Sequence, residues 1–543
     1  MRFSRVLLVP LALLAAPAAA QTSLAARADS LFAEFDSTTT PGCAVALSQD
    51  GRTVLARAYG MANLEHGIPN TMETVFEAGS VSKQFTAAAV VLLARQGKLS
   101  LDDDARRYVP ELPDYGTPIT LRHLLTHTSG LRDWGSVVEL AGWPRGTRIH
   151  THAHALDVIR RQRSLNFATG TEYGYSNTGY NLLAIIVERV SGVSLAEFTR
   201  RELFAPLGMT HTTWRDDFTR VVPGRAEAYA RRDGAWHLQM PFENVYGNGG
   251  LLTTIGDLLR WNQALDEGTI AGLDTLETWA VLANGRRLEY GLGISTADFN
   301  GVRLVGHSGA TAGYRAFLAR FPEAKASVAL LCNAADAGPE ELALRTAVFI
   351  LADRFRAPAA QPEDPPSITL ETAALAGRAG TYRDRRIGQT LDLEVVNDTL
   401  RTGAGTRLIP VREGAFRLAS GAGEVEFVAG QPDVVRLLWA DGDTAWYDRA
   451  APADTSAATL AGYAGEYYSD EAEAAYTVAV MAGRLVLRRR PDTVLRLAPA
   501  YADAFTTPDE WMVRFERGPD GRVRALTLGV DRVRALRFDR VGG

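Results

Sequence analysis

An eight-residue phrase occurs twice in the last third of this 543-residue chain, and it dictates how that third can fold. Leu375-Ala376-Gly377-Arg378-Ala379-Gly380-Thr381-Tyr382 returns as Leu460-Ala461-Gly462-Tyr463-Ala464-Gly465-Glu466-Tyr467. Further on, Arg407-Leu408-Ile409-Pro410 answers to Arg496-Leu497-Ala498-Pro499, and Asp448-Arg449 to Asp539-Arg540. The order is kept throughout and the offsets run from 85 to 91. A stretch that repeats itself in this way is two copies of one unit. The pattern inside each copy is short β-runs, and a length of about 80 residues suits a small antiparallel barrel or curved sheet. The modules are read as residues 370–450 and 459–543, joined by Pro452 to Ala458. Neither copy holds a catalytic constellation.

Upstream the pattern is different. The segment Ala357-Pro358-Ala359-Ala360-Gln361-Pro362-Glu363-Asp364-Pro365-Pro366 reads as a stiff, extended linker within residues 356–369. Before it, residues 24–355 alternate helical and strand periodicities. Gln49-Asp50-Gly51 turns a hairpin between Ala44–Ser48 and Thr53–Tyr59. Ser194-Leu195-Ala196-Glu197 and Thr254-Ile255-Gly256-Asp257 mark helix starts of the capping-box kind. A last amphipathic helix runs from about Glu340 to Arg354.

The first twenty residues carry the marks of an export signal. Arg2 and Arg5 make a basic start, Val6 to Leu14 an apolar stretch, and Ala18-Ala19-Ala20 a small-residue cleavage site before Gln21. The mature chain is expected in the periplasm or outside the cell. No later run is long and apolar enough to read as a membrane span. A formal charge of −5 over this length offers no footing for nucleic acid or an anionic membrane. The two cysteines, Cys43 and Cys332, lie in apolar strand-like segments. They read as buried free thiols, with a bridge between them as the alternative.

Positive charge is written almost entirely as arginine: 55 arginines stand against three lysines, Lys83, Lys98 and Lys325. Arginine cannot give up its proton in the physiological range, whereas a buried lysine can. Lys83 sits three residues after Ser80 in Gly79-Ser80-Val81-Ser82-Lys83, ahead of an apolar run without Gly or Pro until Gly97. That run reads as a buried helix of about four turns with Ser80 opening it. The spacing puts Ser80 and Lys83 on one face, with the lysine close enough to accept the serine proton. A serine cap followed by a surface lysine would not need so apolar a sequel.

Two further segments share the chemistry. Tyr173-Gly174-Tyr175-Ser176-Asn177 enters an apolar helix, and Gly306-His307-Ser308-Gly309-Ala310 follows the strand-like Val302–Val305. Ser80/Lys83, Tyr175-Ser176-Asn177 and His307-Ser308-Gly309, in that order, resemble the class C β-lactamase and penicillin-binding-protein superfamily of serine hydrolases. Leu124-Leu125-Thr126-His127-Thr128-Ser129-Gly130-Leu131 and Gly249-Gly250-Leu251-Leu252-Thr253-Thr254 look like that family too. The resemblance spans residues 24–355. It implies an α+β catalytic domain, a five-stranded antiparallel sheet flanked by helices plus a helical subdomain, ahead of the two barrel-like modules.

The resemblance also implies roles. Ser80 would be the acylated nucleophile, Lys83 its base, and Tyr175 a partner in proton traffic. Asn177 would hold the acyl-side carbonyl of the substrate. Gly309 and Ala310 would form a binding strand edge, with the N–H groups of Ala310 and Ser80 as oxyanion donors. His307 stands where β-lactamases and many penicillin-binding proteins carry a permanently charged lysine. Esterases and D-aminopeptidases resemble the chain more closely at this motif, and D-aminopeptidases also carry two C-terminal β-barrels. Arg315 could supply a replacement charge or a structural ion pair.

His150, His152 and His154 would share one face of a strand, but Ala155-Leu156 already begins a helical pattern and no further ligand follows at metal spacing. His123 and His127 read as parts of the folded loop at Thr126 to Gly130. The expectation is an exported serine peptidase, amidase or esterase that forms an acyl-enzyme on small substrates with D-residues, without metal or organic cofactor. A β-lactamase or D-alanyl-D-alanine carboxypeptidase is the second enzyme reading, and a silent wall-binding protein the reading of another class. The oligomeric state is left open.

Overall fold

A computed structural model of the chain describes residues 23–356 and 367–542. The leader, residues 1–20, and residues 357–366 of the expected linker lie outside the described residues. The described residues form two compact units. One comprises the chain up to Gly135 together with Pro144 to the linker; the other comprises Ser136–Trp143 with the C-terminal part.

The first unit is built on one antiparallel sheet. Its strands are β1 (Cys43–Gln49), β2 (Arg52–Tyr59), β3 (Ser295–Phe299), β4 (Val302–Thr311), β5 (Tyr314–Phe321) and β6 (Ala326–Cys332), in the order β3-β4-β5-β6-β1-β2. The β1–β2 hairpin turns at Asp50 and Gly51, with φ of 50° and 73°, the paired left-handed geometry that Asp-Gly accepts. The sheet has six strands where five were expected. The extra one, β3, is hairpinned to β4 through Asn300 and Gly301, with φ of 54° and 82°. Asn-Gly between two β-runs is itself a hairpin signal, and it accounts for the added strand.

Several helices flank the sheet, among them α1 (Leu24–Leu31), α2 (Lys83–Arg95), α3 (Asn177–Ser191), α4 (Ile255–Glu267) and α5 (Pro339–Leu351). Strand residues alternate between the two faces of the sheet. Val45, Leu47, Phe317, Val328 and Leu330 share a core with Ala28 of α1 and with Leu342, Ala347 and Leu351 of α5. The intervening Ala44, Ala46 and Ala329 turn to the other face, where α4 packs. Every residue of β6 is buried, which explains why it reads as an unbroken apolar run.

The cysteines correct the free-thiol reading: Cys43 and Cys332 form a disulfide. They stand directly opposite in the β1–β6 register, so a sheet contact between residues 289 positions apart creates the pair. The histidines at 150, 152 and 154 do not lie on a strand. Thr151 accepts from the N–H of His154 and caps a helix, His152–Arg161, so strand alternation does not apply there. Among the described residues no group of three or more His, Cys, Asp or Glu is arranged to hold a metal. None of the helices there is long and apolar enough to cross a membrane.

The second unit holds two nearly closed, barrel-shaped meanders of eight and nine strands. In each the first strand pairs with the last: Tyr382 faces Arg449, and Tyr467 faces Arg540. The repeated phrases thus meet inside each barrel. Arg449 donates to Gly377 O and Ala379 O, and Arg540 donates to Gly462 O and Ala464 O. One arginine latch ties the start of each module to its end. Tyr476 in the second barrel donates to Leu140 O at 2.5 Å, which ties the short segment Ser136–Trp143 to this unit.

Candidate active site

Ser80 does not open helix α2; it sits in a 3₁₀ turn, Gly79–Ser82, and α2 starts at Lys83. The Ser82 hydroxyl donates to Gly79 O at 2.5 Å and accepts from Leu251 N at 3.1 Å, which secures the turn from below. Lys83 is completely buried. Its Nζ lies 3.1 Å from Ser80 Oγ, 3.1 Å from Asn177 Oδ1 and 2.7 Å from Asn248 O. The rings of Tyr175 and Tyr180 flank it, with centroids at 4.8 and 5.4 Å. As an ammonium it has three acceptors; as a neutral amine it offers a lone pair to the serine proton. That is the geometry of an activated nucleophile with an internal base.

Asn177 is the first residue of α3, and Asp133 Oδ2 accepts its backbone N–H at 2.6 Å. With Oδ1 turned to Lys83, its Nδ2 group is the side of the amide available to a carbonyl. Tyr175 lies two residues earlier, 8% exposed, its ring 4.2 Å from that of His127. Gly174 is needed beside it, because a Cβ there would stand 2.5 Å from Phe167.

The third motif is the end of β4. Pairing with β3 stops at Gly306, so His307 to Thr311 continue past that neighbour, toward the Ser80 turn. Two glycines permit the approach. A Cβ at Gly309 would fall 2.1 Å from Ala78 O and 3.2 Å from Ser80 N; one at Gly79, where φ is 51°, would fall 2.6 Å from Ala310 N. The N–H groups of Ser80 and Ala310 are thereby drawn to one place.

His307 is 3% exposed and its ring is engaged by the protein on both sides. Nδ1 is 2.6 Å from Ser308 O, and Nε2 is 3.0 Å from Tyr290 Oη. Burial, reinforced by the nearby Lys83 charge, pushes its pKa down to about 3, so the imidazole is neutral at neutral pH. Arg315 donates to Ala312 O and Tyr314 O and pins the β4–β5 turn.

Ser80, Lys83, Tyr175, Asn177, His307, Gly309 and Ala310 therefore converge. Sequence reasoning missed Asn248, Asp133 and Tyr290, and it gave His127 only a loop role. Asn248 acts through its carbonyl, which no side-chain pattern reveals. Tyr290 did carry a signal in Tyr290-Gly291-Leu292-Gly293: a Cβ at Gly293 would stand 2.8 Å from Lys83 O.

A family model described as Beta-lactamase matches residues 28–353. The chain belongs to the beta-lactamase family. This beta-lactamase-family chain is 29% identical over 533 residues to the D-aminopeptidase of Gluconobacter oxydans, covering 92% of this chain and 96% of that protein. It is also 29% identical over 425 residues to penicillin-binding protein 4* of Bacillus subtilis, covering 73% of this chain and 92% of the relative. Among solved structures it resembles the octameric penicillin-binding protein homologue from Pyrococcus abyssi, with a TM-score of 0.52, 23% identity, and coverage of 84% and 96% of the two chains. That likeness speaks for the fold. The protein is a serine hydrolase of the β-lactamase and penicillin-binding-protein superfamily, related to D-aminopeptidases.

Proposed function

We propose that the protein is an exported amidase or peptidase that transfers acyl groups from small D-configured substrates through Ser80. The observation that carries this reading is the buried Lys83 Nζ, 3.1 Å from Ser80 Oγ. Lys83 takes the Ser80 proton as Oγ bonds to the substrate carbonyl carbon. The carbonyl oxygen becomes an oxyanion held by the N–H groups of Ser80 and Ala310. Tyr175 passes a proton to the leaving nitrogen as the C–N bond breaks, and Asn177 Nδ2 holds the acyl-side carbonyl. A water then gives a proton to the base and adds to the ester carbon; the C–Oγ bond breaks, the acid leaves, and Ser80 Oγ takes the proton back.

Two features favour amide substrates over β-lactams. The neutral His307 supplies no permanent charge for a substrate carboxylate. The likeness to D-aminopeptidases also runs through the C-terminal modules, covering 92% of this chain, against 73% for the penicillin-binding relative. Export rests on the leader in residues 1–20.

Intact-mass analysis after a serine-directed fluorophosphonate tests the nucleophile. One adduct is expected, absent in Ser80→Ala; an adduct that survives the substitution places the nucleophile elsewhere. A screen of D- and L-aminoacyl amides, short-chain esters and a chromogenic cephalosporin tests the substrate class, with D-aminoacyl amides expected to turn over fastest.

A further inference from the structure

We propose that Tyr290 is a positioning residue that joins His127 and His307 in a one-way hydrogen-bonded strut, locking the two imidazoles in opposite tautomers and setting the distance between the Tyr175–Asn177 loop and the Ala310 strand edge. The two outer links each have one allowed direction. Ser176 N–H can only donate, so His127 Nδ1, 3.2 Å away, is unprotonated and carries a lone pair. The proton of the neutral His127 is therefore on Nε2, which donates to Tyr290 Oη at 3.2 Å. At the other end, Ser308 O can only accept, so His307 Nδ1 carries its proton. The lone pair on His307 Nε2 then faces Tyr290 Oη at 3.0 Å, and the strut requires the single Tyr290 proton to go there, in competition with the nearby oxygen of Tyr180.

The ends of this strut lie in the machinery. Ser176 separates Tyr175 from Asn177, and Ser308 precedes Gly309 and Ala310. The fold commits to the arrangement: His127 holds a left-handed φ of 57°, uncommon among non-glycine residues, and the Gly174 N–H donates to His127 O at 2.9 Å. Tyr290 is buried, and that burial, with the phenols of Tyr180, Tyr175 and Tyr173 around it, keeps its hydroxyl protonated, its pKa well above the ordinary value. A phenylalanine would fill the same space and break both joints at once.

The functional half of this proposal rests on Ser80 as nucleophile; the tautomer half does not. ¹⁵N-histidine NMR of the full chain reads the tautomers directly, with His127→Gln and His307→Gln used to assign the two signals. His307 is expected protonated at Nδ1 and His127 at Nε2, both neutral at pH 7. Tyr290→Phe keeps the Ser176 and Ser308 contacts, so it is expected to preserve both tautomers while breaking the two central joints. It should also slow fluorophosphonate acylation at saturating reagent at least about tenfold, the lower end of what loss of an outer supporting partner costs. Apparent reagent affinity should change less than about twofold, because a displaced oxyanion donor acts on the transition state. Equal tautomers or a charged ring in the wild type overturn the strut, and that measurement stands even if Tyr290→Phe fails to fold. Opposite tautomers with an unslowed Tyr290→Phe overturn the positioning role. A wild type that does not label removes the proposed hydrolase chemistry, and the positioning role with it, while the tautomers still decide the strut.

Discussion

At the scale of single residues, Lys83 and His307 make opposite use of burial. Lys83 is surrounded by three acceptors, Ser80 Oγ, Asn177 Oδ1 and Asn248 O, so either protonation state has a partner. Lys83→Arg keeps a charge and removes the ability to accept a proton. Acylation by the fluorophosphonate is expected to fall by ~10²–10⁴-fold, the range for a lost general base. Thermal unfolding measured alongside separates this from overpacking by the larger head group. Retention of more than about a tenth of the rate, outside that range, would move the base to Tyr175.

His307 instead stays neutral, and that links stability to pH. Its unfolded value is near 6.5 and its folded value about 3. Above pH 6.5 neither state is protonated and the full stability is present. As pH falls from 6.5 toward 3, the unfolded chain binds a proton that the folded chain refuses, so stability is lost by up to about 1.4 kcal/mol per pH unit. His152, which burial pushes down to about 4, adds its own loss between 6.5 and 4. Urea unfolding of the wild type and His307→Asn between pH 7 and 4 checks this: the variant should show the shallower fall.

At the scale of elements, the decisive contact is backbone on backbone, where the 3₁₀ turn of Ser80 meets the end of β4. Gly309→Ala would drive a Cβ to 2.1 Å from Ala78 O, and the rigid carbonyl cannot yield. Strand and turn must separate, and about 1 Å of misplacement at reacting groups costs on the order of 10²-fold in rate. The expected result is acylation slowed by about that factor, with stability lowered by about 1–3 kcal/mol, read by adduct formation and urea unfolding. Local sequence made part of this legible. The Asp50-Gly51 hairpin and the helix starts at Ser194 and Thr254 depend on neighbours within four residues, and they are present. Helix α2 starts three residues later than the apolar pattern predicts because Gly79–Ser82 follows 3₁₀ rather than α geometry, held by the contacts of Ser82 with Gly79 and Leu251.

At the scale of the whole molecule, the disulfide and the latched barrels are the long-range restraints. The Cys43–Cys332 bridge spans 289 residues and should stabilise the first unit by about 2–4 kcal/mol. Cys43→Ala with Cys332→Ala should lower the calorimetric transition of that unit, and dithiothreitol should do the same to the wild type. Removing the C-terminal modules has a cost that chain boundaries conceal. Ser136–Trp143 packs with the second unit, through Tyr476 and Leu140 among others. A chain ending at residue 355 is therefore expected to keep Ser80 labelling but to melt earlier and show altered substrate selectivity. Equal melting and unchanged selectivity across the amide and ester screen would reduce the barrels to appendages.

The sequence alone determined whatever is written in short-range or repeated form. The Ser-x-x-Lys spacing, the hairpin and cap signals and the duplicated phrases all act through neighbours or through copying. The duplicated phrases contain both partners of each first-to-last strand pair, Tyr382 with Arg449 and Tyr467 with Arg540. Tertiary structure alone decided the rest. It paired Cys43 with Cys332 across the sheet, turned the His307 ring inward to Tyr290, set Asn248 O against Lys83, and joined His127 to the same network. Each of those contacts closes a long stretch of chain, and its geometry depends on packing that no local propensity encodes.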